Sequence, residues 1–328
     1  MKNNELFLNL NSKVESEKIL WIQGPGGNTS IKEGNRLLVK ASGTRIRDLR
    51  SMDQLAEIQL SQLQKVLLNL ELSTNPEESY KHAIESNAVK NSLRPSMESG
   101  FHAWLPQQFV FHFHSLAGIG LAELASQPLI PSMLHQFKTW YQNNWEKHLG
   151  PLQIIDSCLP GYQLTFQLAQ KKPARFYLLR NHGVILAFDD PQYLDHYKNF
   201  ESEALQNFMP NAWNLIQKWQ KHDALELVKN DTQLLEAELK FFFPDMAIMS
   251  SRIQKNLTPT KNGNFRFEVT QSKSDESPVD LDALENWLAC SMLQKLFPTL
   301  PTLTQFVCDQ INLLPTEVAR KKVMEPNS

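Results

Sequence analysis

Apolar and polar positions along the first two thirds of the chain predict short strands separated by helices. Four segments are rich in branched and aromatic residues and are bounded by turn-forming residues, as the strands of a sheet are. They are residues 36–40, 108–115, 175–180 and 184–188. Residues 191–219 instead carry Trp213, Ile216 and Trp219 at helical spacing, which predicts one or two amphipathic helices. The pattern therefore indicates an α/β layer.

The pattern changes near residue 222, where we predict a domain boundary. The elements predicted beyond it are a helix over 232–241, a short strand over 242–248, a β-hairpin within 255–277 that turns at 261–264, and helices over 280–296 and 303–312. We therefore divide the chain into one domain at residues 1–222 and a small α+β region at residues 223–328. The sequence of the second region does not indicate its role.

Two turns rich in small residues flank the first predicted strand pair. Residues 23–32 read Gln-Gly-Pro-Gly-Gly-Asn-Thr-Ser-Ile-Lys, and residues 41–45 read Ala-Ser-Gly-Thr-Arg. Neither turn matches the phosphate loop or the dinucleotide fingerprint, so a nucleotide site of either type is not predicted. Exposed backbone N–H groups, helped by the side chains of Asn28, Thr29 and Ser30, can instead bind an anion. The two turns could close on one phosphate, or each could be an ordinary turn.

Three histidines are candidate metal ligands. His112 and His114 are one residue apart on a predicted strand, so their side chains share a face and can point at one ion. His182 ends another predicted strand beside Gly183, where a tight bend can present a side chain into a cleft. Zinc takes three or four nitrogen, sulfur or oxygen ligands in proteins. Each histidine taken alone can equally be an ordinary core or turn residue.

A carboxylate upstream of these histidines is a candidate acid/base group. Pro95 and Ser96 predict the start of a helix with Ser96 as its N-cap. Glu98 and His102 would then lie on one face of that helix. Glu98 can also be read as a first-turn glutamate that favours the helix dipole.

Six segments, in this order along the chain, resemble the class II aldolase/adducin family. They are Gly27-Asn28-Thr29-Ser30, Lys40-Ala41-Ser42-Gly43-Thr44, Ser96-Met97-Glu98 with Phe101-His102, His112-Phe113-His114-Ser115, Leu159-Pro160-Gly161 and Arg180-Asn181-His182-Gly183. The resemblance is closest to long members in which an aldolase part is fused to an alcohol dehydrogenase, but no dinucleotide fingerprint is present, so NAD chemistry is not predicted. It implies a three-layer α/β/α fold with a mostly antiparallel central sheet, with the region after residue 222 as a small α+β C-terminal appendage.

The resemblance also implies a role for each candidate residue. His112, His114 and His182 would bind Zn²⁺ or another divalent metal, and Glu98 would be the acid/base carboxylate beside it. The substrate phosphate would be held by Asn28, Thr29, Ser42, Gly43 and Ser96. His102 would orient Glu98 or one of the metal ligands from behind.

The sequence departs from the family pattern at two positions. Met97 stands where the sugar-phosphate aldolases usually have a small hydroxyl residue, which leaves open whether the substrate is phosphorylated. The tyrosine that a neighbouring subunit contributes in those aldolases is also missing after the Ile-Pro pair at residues 130–131. His135 and Tyr141 are alternatives for a second proton donor, and both can be ordinary helix residues.

The implied function is a zinc-dependent aldehyde-lyase that cleaves a ketose, first of all a ketose 1-phosphate, by retro-aldol through a metal-bound enediolate. Alternatives on the same site are a sugar-phosphate 4-epimerase, a dehydratase or a decarboxylase. A non-catalytic, adducin-like interaction module is an alternative of another class. The three histidines together with Glu98 favour the enzyme, because adducin-type domains lack a complete ligand set. By analogy with the family, we expect a homo-oligomer, a tetramer with active sites between subunits.

Composition agrees with a cytoplasmic enzyme. The 33 basic and 35 acidic residues nearly balance, so no patch for nucleic acid or an anionic membrane is indicated. Three cysteines without CxxC spacing favour reduced thiols over a disulfide framework. The first residues lack the apolar core of a signal peptide, and no stretch of sequence suggests a membrane span. The partner that the resemblance implies is a small sugar or sugar phosphate.

Overall fold

A seven-stranded mixed sheet forms the centre of the computed structural model, which describes residues 2–69, 74–90, 92–126, 131–261, 264–268 and 280–314. Its strands are β1 (Asn28–Glu33), β2 (Arg36–Lys40), β3 (Leu55–Gln59), β4 (Phe109–Phe113), β5 (Leu152–Ile155), β6 (Phe176–Leu179) and β7 (Gly183–Phe188). They lie in the order β3-β2-β1-β4-β7-β6-β5, and every neighbouring pair is antiparallel except β5 with β6. The mixed α/β fold and its mostly antiparallel sheet are as expected.

Helices surround this sheet and continue into the C-terminal region. They are α1 (Lys2–Ser16), α2 (Leu60–Leu67), α3 (Pro76–Asn87), α4 (Ser99–Trp104), α5 (Leu116–Leu124), α6 (Pro131–Asn144), α7 (Glu146–Leu149), α8 (Tyr162–Ala169), α9 (Tyr193–Phe208), α10 (Pro210–Trp219), α11 (Ala224–Asn230), α12 (Pro244–Ile248), α13 (Ser250–Gln254), α14 (Leu281–Leu296) and α15 (Gln305–Leu313). Short 3-10 turns cover Lys18–Leu20, Ile46–Asp48, Met52–Gln54 and Thr232–Leu235. Among the described residues, no helix has both the length and the apolar character that a membrane crossing requires.

Strand β4 shows how the sheet is buried on both faces. Phe109, Phe111 and Phe113 point to one side and join a core cluster that includes side chains of α1, α5 and α9. Val110 points to the other side and joins a second cluster with side chains of α4 and α8. This alternation is the two-residue period of a strand, and it brings His112 onto the same face as Val110. The predicted helical stretch after the sheet forms two helices because Pro210 starts a new one.

Two predictions for the region after residue 222 are wrong. The predicted helix over 232–241 is a 3-10 turn followed by strand β8 (Glu236–Ala237), because this backbone pairs with β10 (Phe265–Phe267). The predicted strand over 242–248 is helix α12, which begins at Pro244, a residue whose fixed φ suits the first helical position. The predicted hairpin is present as β9 (Leu257–Pro259) paired with β10, although residues 262–263 and 269–277 of that prediction lie outside the described residues. The two final helices are confirmed as α14 and α15.

The main hydrophobic core continues across residue 222. Trp287 and Leu288 of α14 are fully buried in the same cluster as Trp21 and the sheet residue Phe113. The described residues after 222 therefore pack into the core of the first part of the chain. The division into two domains stays a prediction.

Candidate metal centre

Three buried histidines meet at the end of β4 and at the turn between β6 and β7. His112 and His114 are 0% and 1% exposed, and His182 is 4% exposed. One ring nitrogen of each lies within 4.8 Å of a ring nitrogen of the other two. The three predicted ligands are thus close enough together to bind one ion.

The turn that carries His182 has an unusual backbone. Asn181 adopts a left-handed conformation with φ +53°, and Gly183 has φ +134°. A Cβ atom at Gly183 would overlap the carbonyl oxygen of Phe113. The turn therefore packs directly on the end of β4, and only glycine fits at this position. The Asn181 amide donates to the carbonyl of Pro301 at 2.6 Å, which ties the turn to the C-terminal region.

The protonation of the histidines suits a metal. Nδ1 of His112 lies 2.8 Å from the Val184 carbonyl oxygen, which can only accept, so Nδ1 carries the proton. Nε2 of His112 is therefore a lone-pair donor, and it is buried without a hydrogen-bond partner among the described residues. Burial, followed by the neighbouring His112 and His114, holds the pKa of His182 well below its usual range. Neutral imidazole is the form that binds metals, so these residues fit a divalent ion with open coordination positions.

Glu98 lies beside the three histidines. Its Oε1 is 3.3 Å from Nε2 of His182, and its Oε2 is 3.6 Å from Nε2 of His112. The side-chain amide of Asn28 donates to Oε2 at 2.6 Å and fixes the carboxylate. The carboxylate is almost fully buried and touches the candidate ligands, as an acid/base group at a metal must.

The helix that follows Glu98 begins later than predicted. Helix α4 starts at Ser99, so Glu98 takes the N-cap position and the prediction of Ser96 as N-cap is wrong. Ser96 Oγ instead accepts from the backbone N–H of Glu98 at 3.2 Å. Pro95 pairs with Ala41 in an isolated β-bridge, which keeps the preceding backbone extended. The Glu98 side chain makes no capping hydrogen bond and points to the histidines.

His102 is buried behind the site and is hydrogen-bonded elsewhere. Its Nδ1 lies 2.7 Å from Ser30 Oγ, and its ring stacks on Phe101 at 4.5 Å. Phe101 in turn meets the His112 ring edge-on at 5.8 Å. Burial, followed by nearby positive groups such as Lys32, holds the pKa of His102 well below its usual range. Phe101 thus packs between the rings of His102 and His112, and the role of His102 in orienting Glu98 or a ligand stays a prediction.

A cavity beside Glu98 and His182 collects most of the predicted phosphate-binding residues. Its lining includes Asn28, Ser42, Gly43 and Ser96. Residues of both small-residue turns thus line the same cavity. Thr29 is separate, because it lies on the opposite face of β1 and its hydroxyl donates to Asn11 Oδ1 at 2.7 Å. This geometry gives Thr29 no contact with the cavity.

Several further lining residues had no predicted role in binding, and four of them matter for the chemistry of the cavity. Lys40 is 2% exposed, and its ammonium donates to the carbonyls of Pro25 at 3.0 Å and Thr44 at 2.6 Å, so it joins the two turns. The signal in the sequence that could have indicated this role is a lysine at the end of an apolar strand. The other three are Met97, Pro244 and Ile248. Nothing in the sequence links the last two to the histidines, since only the tertiary fold brings them there.

The two alternatives for a second proton donor lie away from the cavity of this chain. His135 is exposed on α6. The Tyr141 hydroxyl is buried and donates to the Gly150 carbonyl at 2.6 Å, and burial raises its pKa. Neither residue lines the cavity.

Comparison with known proteins identifies the family. The model of the Class II Aldolase and Adducin N-terminal domain matches residues 16–192, which is more than half of the chain. The chain therefore belongs to the class II aldolase/adducin family. No curated protein matches it.

Several solved structures also match this chain, at sequence identities below 25%. The N-terminal class II aldolase domain of a conserved protein from Thermoplasma acidophilum shares 23% identity, covers 62% of this chain and 92% of its own, and has a TM-score of 0.47. The L-fuculose-1-phosphate aldolase from Thermus thermophilus has 15% identity, coverage of 64% and 95%, and a TM-score of 0.40. A sugar-phosphate aldolase from Thermotoga maritima has 12% identity, coverage of 62% and 95%, and a TM-score of 0.40.

Proposed function

We propose that this protein is a divalent-metal-dependent aldehyde-lyase that cleaves a ketose, with ketose 1-phosphates as the first substrates to test. The observation that carries the proposal is the buried group of three histidine nitrogens within 4.8 Å of one another, with a Glu98 oxygen 3.3 Å from His182. Membership of a family that includes sugar-phosphate aldolases supports it.

His112, His114 and His182 would hold the metal, with Zn²⁺ as the first candidate and other divalent ions as alternatives. Three neutral imidazoles leave coordination positions open for substrate oxygens. A bound divalent ion supplies Lewis acidity, which stabilises negative charge that develops on those oxygens.

Glu98 would carry the proton on and off carbon. When the C3–C4 bond of the ketose breaks, the C4 hydroxyl would give its proton to the Glu98 carboxylate, C4 would become the aldehyde carbon, and the bonding electrons would pass to C3 of the enediolate. Protonated Glu98 then donates its proton to C3 and leaves the three-carbon ketone. In condensation Glu98 runs in reverse as the base. The Asn28 amide, 2.6 Å from Oε2, would orient the carboxylate for both directions.

The two turns would bind the anionic end of the substrate. Asn28, Ser42, Gly43 and Ser96 line the same cavity as Glu98, and backbone and hydroxyl groups of this kind bind phosphate. Met97 lines that cavity too and adds apolar surface where a hydroxyl would bind phosphate. Unphosphorylated ketoses are therefore the second class to test.

The test is a screen for aldehyde release with zinc-loaded protein, ketose 1-phosphates and the corresponding free ketoses. We expect release by the wild type and a loss of about 100-fold or more in Glu98→Gln, with metal content unchanged. Full activity of Glu98→Gln would contradict the role of this carboxylate. Inactivity of metal-loaded wild type on the whole panel would contradict the lyase and favour an epimerase, dehydratase or decarboxylase. The tetramer expected from the resemblance is checked separately by light scattering.

A further inference from the structure

Part of the cavity wall comes from outside the family-matched segment, which ends at residue 192. Pro244 and Ile248, at the two ends of α12, line the cavity together with Glu98 and His182. The preceding residue, Phe243, packs its ring 5.0 Å from the ring of His114. We call residues 243–248 the α12 wall. We infer that the α12 wall selects the substrate by limiting the size and polarity of the group that lies beside it, an inference that rests on the proposed function.

The α12 wall is anchored on two sides. Phe243 and Met246 are fully buried in the main core. Ala247 and Ile248 instead pack in a small separate cluster with Cys308 and other residues of α15. Because the α12 wall packs into both clusters, its apolar side chains are held in fixed positions. A site can distinguish substrates by their shape only if its side chains are fixed in this way.

The wall differs in chemistry from the two turns that share its cavity. The turns contribute hydroxyl, amide and ammonium groups, such as those of Ser42, Asn28 and Lys40. Pro244 and Ile248 contribute only apolar surface from their side chains. A substrate whose anionic end lies on the turns therefore leaves a short, uncharged group for the α12 wall. A charged or strongly polar group there would lose its hydration without gaining a hydrogen-bond partner from the side chains of Pro244 and Ile248.

Pro244 and Ile248 bound the cavity on one side. A group that extends from the substrate toward the α12 wall therefore meets their side chains. A longer group gains room there only if one of these side chains is shortened or displaced. Of the two wall residues that line the cavity, Ile248 has the larger side chain, and its truncation leaves the contact between the rings of Phe243 and His114 in place.

The experiment measures binding rather than turnover, with alkyl hydroxamates as bidentate oxygen probes of the metal-loaded protein. Titration calorimetry gives the Kd of aceto-, butyro- and hexanohydroxamate for wild type, Ile248→Ala and Ile248→Val. We expect the wild type to bind the longest probe at least about tenfold more weakly than the shortest. Ile248→Ala should remove most of that difference while leaving acetohydroxamate binding nearly unchanged. Ile248→Val, which retains most of the packing, should shift the profile in the same direction by less.

The matched control is Leu313→Ala on α15, where the leucine is 70% exposed and does not line the cavity. It should leave the whole profile unchanged. If both Ile248 variants keep the wild-type length profile with full metal content, the α12 wall does not select the substrate. If metal-loaded wild type binds none of the probes, the open coordination positions required by the proposed function are absent, and that function and this inference are both overturned.

Discussion

The family-matched segment and the region after residue 222 line one cavity with side chains of different chemistry. The matched segment supplies His182, Glu98 and the polar turns, with His112 and His114 next to His182. The later region supplies Pro244 and Ile248, which are apolar, and Phe243 against His114. The difference teaches that the polar groups of the cavity come from the matched segment, whereas Pro244 and Ile248 of the later region add apolar side chains alone, so mutations can address the two separately.

The later region also braces the first glycine-rich turn. Glu285 of α14 accepts from the backbone N–H of Gly24 at 2.7 Å and pairs with Arg47. Asp282, on the same helix, pairs with Arg45 at 2.8 Å. The turn that leads to Asn28 is therefore held by a hydrogen bond to α14, and ion pairs to the same helix hold Arg45 and Arg47 beside it. Four predictions test how far the two regions can be separated, and the largest expected effect comes first.

Gly183→Ala should disrupt the turn that carries His182, and with it the group of three histidines in the matched segment. A Cβ atom there would overlap the Phe113 carbonyl, and φ of +134° is unfavourable for alanine. We expect a loss of roughly 3 kcal/mol in the free energy of unfolding, measured by denaturant titration, together with loss of metal. The control is Gly34→Ala, where φ is +60° but no heavy atom lies within 4 Å, and about 1 kcal/mol is expected. Equal effects of the two variants would contradict close packing at the His182 turn.

Glu201→Gln tests a partly buried glutamate of α9 that accepts hydrogen bonds next to the histidine strand. Trp21, Ser115 and Tyr197 donate to it, yet burial raises the pKa of Glu201 to about 7. Because the folded-state pKa lies above the ordinary value of 4.5, its contribution to stability is complete below about pH 4.5 and is lost as pH rises through about 7. Wild type should therefore lose roughly 1–3 kcal/mol between these pH values that the variant does not lose. Parallel pH profiles of unfolding for the two proteins would contradict this assignment.

Glu285→Gln should weaken the attachment of the first turn to α14 without changing metal binding. The glutamine oxygen can still accept from Gly24, but the ion pair with Arg47 is lost. We expect a loss of roughly 1–3 kcal/mol in the free energy of unfolding, with metal content unchanged by elemental analysis. Loss of metal in this variant would show that the two regions cannot be separated.

Lys13→Ala should have the smallest effect. Lys13 pairs with Asp195 at 2.7 Å, but the two side chains are 49% and 55% exposed. Solvent and salt screen such a pair, so a change below about 1 kcal/mol in the free energy of unfolding is expected. A larger change would mean that exposed ion pairs stabilise this fold as much as the partly buried pairs between α14 and the arginines at residues 45 and 47.

The sequence predicted best what depends on local pattern. The strands around His112 and His182 follow from runs of branched and aromatic residues, and the two turns follow from their glycines. The start of α4 was missed because the Pro95–Ala41 bridge, a long-range contact, delays the helix. Thr29 was grouped with Asn28 by proximity in sequence, whereas adjacent residues of a strand face opposite sides.

The α12 wall was beyond prediction for the same physical reason. Residues 242–248 have the composition of a strand, but Pro244 and the packing on α14 and α15 make a helix of them. Their approach to His114 and Glu98 is a purely tertiary contact. A spacing rule within the sequence cannot reveal a contact of this kind.

The most direct test of the central claim is the metal content of purified protein, measured by elemental analysis for wild type, His182→Ala and His135→Ala. The exposed His135 is the matched control, because it lies outside the three-histidine group. We expect one divalent ion per chain in wild type and in His135→Ala, and its loss in His182→Ala. Equal metal content in wild type and His182→Ala would contradict the metal centre.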